Sequence, residues 1–245
     1  MKKPVLLIAL FLVGVAINAQ TTGQVANYNV NGDGGVTDAL YRYALGSIDD
    51  ANKKTTVYDE SIEGSPYASN AFLPTAVYYG DELAGQVFYR YNAHNQEIEI
   101  KQQNLENEPI RSLGRDKKIN IRFNGKPMSF KTFIDKTGKT QNGYLTLVRD
   151  GKYKLYKRLN IKFKEAKKAP NSFVKGSPAR FTSFTEYYLE SEDGKRIDEL
   201  ELNTKKLLNL VSSEKQQSVK KFMKENKIRL SNEQDVQSVI DFLNS

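Results

Sequence analysis

The chain has 245 residues, with 37 Lys and Arg against 29 Asp and Glu for a formal net charge of +8, and it contains no Cys, no Trp and one His. The missing cysteine excludes a disulfide framework, a thiol nucleophile, a thiolate zinc site and an iron–sulfur centre. A single imidazole excludes every multi-histidine metal site and leaves a Ser-His-Asp arrangement with one possible base.

Lys2 and Lys3 precede an apolar run from Val5 to Ile17, and Ala19 supplies a small residue before Gln20. A basic start, a short apolar stretch and a small residue at the cut site are the pattern of a secretory signal peptide. The run falls short of the ~20 residues that span a bilayer. Residues 1–19 are therefore expected to be removed near Ala19, and no cysteine follows to carry a lipid. The expectation is an exported chain, periplasmic or at the cell surface, with no transmembrane span in its mature part. Export turns attention from nucleic acid to an envelope protein or an anionic envelope polymer as the partner of a basic chain.

Residues 20–56 are rich in Gly, Asn, Asp and Thr and read as a flexible leader. Asp38 to Leu45 is its one helical stretch, with Gly46 as a stop. Asn29 to Val36 resembles the opening of an EF-hand calcium loop, with oxygen ligands at alternate positions and a glycine at the sixth. The loop's first position is the neutral Asn29, and Leu40 stands where a bidentate acid is needed. No metal and no cofactor are expected.

Residues 57–202 change to period-two alternation, which marks half-buried strands. Val77 to Tyr79 is followed by Gly80-Asp81, then Gln86 to Asn92 and Gln96 to Gln102. Ile119, Ile121 and Phe123 run into Asn124-Gly125, and Met128, Phe130 and Thr132 resume beyond it. Tyr144 to Arg149 meets Asp150-Gly151 and the strand Lys152 to Lys164, while Thr182 to Glu190 and Arg196 to Leu202 flank Asp193-Gly194. Asn-Gly and Asp-Gly between alternating runs are hairpin signals. Glu165 to Arg180, with Pro170, Gly176 and Pro178, reads as a crossing loop. From 203 the period becomes helical: Leu207, Leu208 and Val211; Val219, Phe222 and Met223; then Val236, Val239, Ile240 and Leu243 behind a Ser231 cap. The fold class is β-dominant α+β. An antiparallel meander, as a curled sheet or half-barrel, carries a helical tail (203–245) packed on it.

Two groups of residues bear on function. Lys152, Lys154, Tyr156, Arg158, Lys162 and Lys164 share the even-numbered face of one strand, putting cations about 6.8 Å apart where a solvated face could follow an anionic polymer. The same lysines also suit a soluble outer face that discourages edge pairing. Glu97 and Glu99, two apart on a strand, place carboxylates about 7 Å apart, as in a carboxylate-dependent hydrolase. His94 lies in the turn before them, with no nucleophile or acid placed around it by sequence. A non-catalytic binder or scaffold is the leading reading. A hydrolase, or a small-molecule or lipid carrier inside a curled sheet, is the alternative.

Gly64-Ser65-Pro66-Tyr67, Arg90-Tyr91-Asn92, Glu97-Ile98-Glu99, Gly143-Tyr144, Pro178-Ala179-Arg180-Phe181 and Tyr187-Tyr188-Leu189, followed by a lysine-rich tail, form a pattern across residues 60–245. In these segments the chain resembles a group of uncharacterised exported proteins of Gram-negative envelopes. The resemblance implies a sheet with a helical tail and brings no activity, cofactor or catalytic residue with it.

Overall fold

The structure, a computed structural model, describes residues 62–169, 173 and 175–245. The expected signal peptide, the leader, its helix and the calcium-like loop all lie outside these residues. Among the described residues ten strands form one sheet, antiparallel except at a single bridge. In chain order they are β1 (Leu73–Tyr79), β2 (Glu82–Asn92), β3 (Glu97–Lys101), β4 (Arg111–Ser112), β5 (Ile119–Phe123), β6 (Lys126–Ile134), β7 (Thr140–Arg149), β8 (Lys154–Lys164), β9 (Arg180–Glu190) and β10 (Ile197–Glu199). Three helices follow: α1 (Thr204–Leu210), α2 (Ser213–Glu225) and α3 (Glu233–Asn244). This is the β-dominant meander with a helical ending that the alternation predicts.

The strands lie in the order β10-β9-β8-β7-β6-β5-β1-β2-β3-β4. β1 is thus inserted between β5 and β2, and the meander is otherwise sequential. At β5–β6, Asn124 and Gly125 both take positive φ, 49° and 77°, so two residues reverse the chain with the twist the strands need. The Asp150-Gly151 turn is wider than a two-residue hairpin, because β8 starts at Lys154 and Asn244 of α3 occupies the gap. Its side chain accepts from the Tyr153 N–H at 2.8 Å and donates to the Tyr153 carbonyl at 2.9 Å. Gly151 has φ +149°, and a Cβ there would come within 2.4 Å of the Asn244 amide. Only glycine fits beneath the end of the last helix.

The crossing loop expected over 165–180 is corrected at the strands that flank it: β8 and β9 pair directly and antiparallel from Lys154↔Glu190 to Lys164↔Arg180, and Lys167↔Ser177 continues the pairing beyond them. Pro and Gly between two strands mark a wide hairpin end as readily as a crossover. The α3 cap is one residue later than the Ser231 pattern predicts: Asn232 accepts from the Asp235 N–H, and the Asp235 carboxylate reaches back to the Ser231 N–H. The arrangement is a variant of the capping box, built from Asn and Asp in place of Ser and Gln, with the carboxylate returning to the residue before the cap.

The sheet curls without closing into a barrel. Beyond β9, β10 turns back to meet β6 through the parallel pair Asp198↔Ile134. The five strands β6 to β10 therefore wrap around Phe133, Leu145, Tyr156 and Tyr188, with Phe133 and Tyr188 in ring contact at 4.5 Å. The other face of these strands is covered twice. Leu155, Tyr187 and Leu189 lie beneath the helices with Leu207, Val219, Val236 and Ile240. Tyr144, Ile161 and Phe181 pack instead against Val77, Tyr91, Ile98 and Ile121 from the first half of the sheet. Each fully buried Leu, Ile or Val stabilises this arrangement by about 1.5–3 kcal/mol.

Candidate functional site

The predicted basic face of β8 is not one surface. Lys152 is exposed in the turn before the strand, and Lys154 is half-buried with its Nζ 3.4 Å from Asp150. Tyr156 turns into the curl, where its hydroxyl donates to Glu190 at 2.7 Å. The Arg158 side chain is 15% exposed and faces the same interior, its Nη1 donating to Glu186 at 2.9 Å. Lys162 and Lys164 emerge at the far end, Lys162 lying 5.4 Å from the Phe184 ring centroid. The continuous outer row of cations is thereby corrected. Because β6 to β10 wrap around the even side of β8, its middle is lining, and alternation alone does not say which side is outside.

Arg158 is the centre of a polar network inside the curl. Glu186 also accepts from the Tyr188 hydroxyl at 3.0 Å and the Asn160 amide at 2.8 Å. On its other side Arg158 meets Gln96, which in turn accepts from the Tyr91 hydroxyl at 3.0 Å. Gly143 makes this contact possible, since a Cβ there would lie 2.9 Å from Gln96 Oε1. Burial pushes the Tyr156 and Tyr188 hydroxyls far above their ordinary range, and the neighbouring Glu190 and Glu186 carboxylates add to it. These tyrosines are hydrogen-bond donors held in place. They are not bases.

The carboxylates singled out in sequence are each engaged by their own arginine. Glu99 accepts from Arg90 Nε at 3.0 Å and Nη2 at 2.5 Å, with the Tyr67 hydroxyl at 3.2 Å on its other oxygen. Glu97 accepts from the Asn95 amide at 2.7 Å and lies 3.4 Å from Arg115. His94 donates from Nδ1 to the Ile161 carbonyl at 3.1 Å and packs on Phe181, tying the β2–β3 turn to β8. Among the described residues no group of three or more His, Asp or Glu side chains is arranged to hold a metal ion.

A second cluster of cations lies elsewhere, along the mouth of the curl. Two adjoining hollows of about 410 and 450 Å³ share Lys117 and Lys131 as lining residues. The first also takes Lys118, Arg122 and Lys154 over a floor of Tyr156 and Leu147. The second continues to Lys195 and Arg196 over Phe133 and Ile197. Together they form a trough from the Gly80-Asp81 turn to the β9–β10 turn. It crosses β1, β5, β6 and β10, about 14 Å at the usual strand spacing.

Local structure explains how these cations come together. Asp116 accepts from the Lys118 N–H at 2.8 Å, and the Gly80 N–H donates to the Lys118 carbonyl, which sets the loop carrying Lys117 and Lys118 against the β1–β2 turn. Pairing of Asn120 with Ser129 and of Arg122 with Pro127 aligns one polar face of β5 with that of β6, where Lys131 follows two residues after Ser129. Asp193 accepts from the Ser191 hydroxyl and the Lys195 N–H, and these bonds hold its carboxyl below the ordinary range while shaping the second rim. Arg196 is paired with Asp198 at 2.5 Å and Lys195 lies 3.8 Å from Asp193. Lys117, Lys118, Arg122 and Lys131 have no ion-pair partner among the described residues. Arg122 instead lies over the Tyr78 ring at 4.6 Å and Lys118 over Tyr79 at 5.5 Å.

Of the six residues named in sequence, Lys154 and Tyr156 line this trough, whereas Lys152, Arg158, Lys162 and Lys164 do not. Lys117, Lys118, Arg122, Lys131, Lys195 and Arg196 were not singled out. Their only local signal is the polar phase of β5 and β6, and it acquires meaning once strand order is known.

No protein-family model matches the chain, and no curated protein and no solved structure matches it.

Proposed function

We propose that this chain is a non-catalytic, exported cell-envelope protein that binds anionic envelope material in the trough at the mouth of its curled sheet. The observation that carries this reading is the meeting of Lys117, Lys118, Arg122 and Lys131 around one elongated concavity, where the two lining carboxylates, Asp81 and Glu190, form no ion pair with them and leave the cations in excess. Unpaired cations held close together repel one another, and a polyanion relieves that repulsion while releasing its own counterions. Export rests on the Lys2-Lys3 start, the apolar Val5 to Ile17 stretch and Ala19.

The competing chemistries find less support. A hydrolase using Glu97 and Glu99 needs carboxylates free to exchange protons, and here each is held by an arginine. A carrier needs a roomy apolar interior. The curl is filled by Phe133, Leu145, Tyr156 and Tyr188, and the apolar hollow at the helix seam beside Phe123 and Leu159 is about 160 Å³.

The test is retention of the purified protein on immobilised heparin, used as a general polyanion. The Lys117→Gln/Lys131→Gln variant is expected to elute at clearly lower salt than the parent, with an unchanged melting temperature. Equal elution of parent and variant overturns the reading.

A further inference from the structure

Resting on that reading, we propose that the ligand of the trough is a linear acidic polysaccharide, a chain of sugar rings bearing carboxylates at intervals. The choice among polyanions follows from what lines the trough besides its cations.

A single-stranded nucleic acid gains much of its binding by stacking bases on open aromatic faces. No such face is offered here. Tyr78 is already covered by the Arg122 guanidinium at 4.6 Å, and Tyr156 and Phe133 are 4% and 1% exposed. An anionic membrane rewards exposed apolar side chains beside the cations. The large exposed apolar residues, among them Leu83, Leu105, Phe163 and Phe184, line neither hollow.

Apart from Asp81 at one end and Glu190, which accepts from the Tyr156 hydroxyl, short uncharged hydrogen-bonding side chains are interleaved with the cations instead. Asn120 and Ser129 are cross-strand partners in the first hollow, and Thr132 and Thr140 sit in the second. Hydroxyl-rich rings between carboxylates match that alternation of donor, acceptor and charge. A dense polyphosphate supplies the charge without donors for the intervening groups. The shape agrees as well, because two hollows joined at Lys117 and Lys131 suit a ligand that extends through both. A compact anion would fill one.

The experiment measures binding of a fluorescently labelled alginate oligosaccharide, a linear polyuronate, to the purified protein at fixed salt. The competitors are single-stranded DNA, inorganic polyphosphate, neutral dextran and vesicles of phosphatidylcholine with phosphatidylglycerol. The parent protein is expected to bind the oligouronate, to resist dextran, and to be displaced by DNA, polyphosphate or vesicles only at concentrations well above that of unlabelled oligouronate. Lys117→Gln/Lys131→Gln is expected to weaken oligouronate binding about tenfold, the sum of two exposed charge contacts. Arg122→Gln in the first hollow and Lys195→Gln in the second should each weaken it less. If DNA, polyphosphate or vesicles displace the oligouronate more effectively than itself, and their binding is sensitive to Lys117→Gln/Lys131→Gln, the polysaccharide assignment is wrong while polyanion binding in the trough stands. If no probe responds to that pair, both fall.

Discussion

The two faces of β6 to β9 are built from the same alternating sequences and hold together by different physics. Beneath the helices, Leu155, Leu189, Val236, Val239 and Ile240 make an apolar layer, with the Tyr153 hydroxyl satisfied by Ser212. At its rim Glu233 accepts from Lys157 and Tyr187. Inside the curl, aromatic rings share the space with Arg158, Glu186 and Asn160, every one of them bonded to a neighbour. The helical side is stabilised by area removed from water. The curl interior gains from burial too, and must also offset the desolvation of an ion pair. Uniform apolar packing suits a foundation, whereas a polar interior holds side chains in fixed orientation next to a trough lined with cations.

The comparison is broken most severely on the apolar side. Leu155 is fully buried between β9 and the helices. Leu155→Ala is expected to cost about 3 kcal/mol from lost transfer energy plus a cavity that the helices do not collapse into. Urea unfolding followed by circular dichroism reads this as a lower midpoint with an unchanged slope. A loss below about 1 kcal/mol would mean that the helices are not held by this layer.

The curl interior is tested by Arg158. Its side chain and that of Glu186 are 15% and 18% exposed, so the pair is desolvated but not sealed. Arg158→Met leaves Glu186 beside Tyr188 and Asn160 without a counter-charge. The expected cost is about 2 kcal/mol, below the 3–5 kcal/mol of a fully buried pair. Arg158→Met with Glu186→Gln removes both charges and keeps the acceptor for Tyr188, so much of the loss should be recovered. A coupling energy near zero in that double-mutant cycle would show that the two groups do not depend on each other.

The same contrast explains how much was legible in the sequence. The helical stripes, the Asn124-Gly125 turn and the alternating strands are local signals, and the structure follows them closely. Lys152 to Lys164 shows where the reading failed. Period two separates the two sides of a strand, and richness in Lys and Arg marks a side as the outer one only where no other strand returns over it. Lys154, Tyr156 and Arg158 instead look into the curl because β10 returns to β6, a contact between Asp198 and Ile134 that no local pattern encodes. Lys157, on the odd-numbered side of β8, snorkels to Glu233 at the seam. The trough was invisible for a related reason: Lys117, Lys131 and Lys195 belong to three segments brought together by sheet order alone.

The smallest expected effect lies where β6 meets β10, and acid pH separates two carboxylates there by sign. Asp135 is held down to about 2 by hydrogen bonds from the Thr137 hydroxyl, the Lys139 and Thr137 N–H groups and the Gln141 amide. Its contribution is therefore fully present above its unfolded value near 3.8 and is lost as pH falls toward 2. Glu199 is shifted the other way. Burial raises it, nearby Glu186 adds to that, and the Lys136 N–H opposes. Its charged form costs the folded state stability above the ordinary carboxylate range, and protonation in acid removes that cost. Glu199→Gln keeps an acceptor for the Lys136 N–H, so it should raise stability at neutral pH by a few tenths of a kcal/mol, a partly exposed group being largely screened. The gain should vanish below pH 4. Asp135→Asn should lower stability at neutral pH and flatten the acid limb below pH 4. Melting temperatures across pH 2 to 7 for the parent and the two variants decide it. If Glu199→Gln lowers stability at neutral pH, the carboxylate is favoured where it stands, and the junction of β6 and β10 is held by its charge.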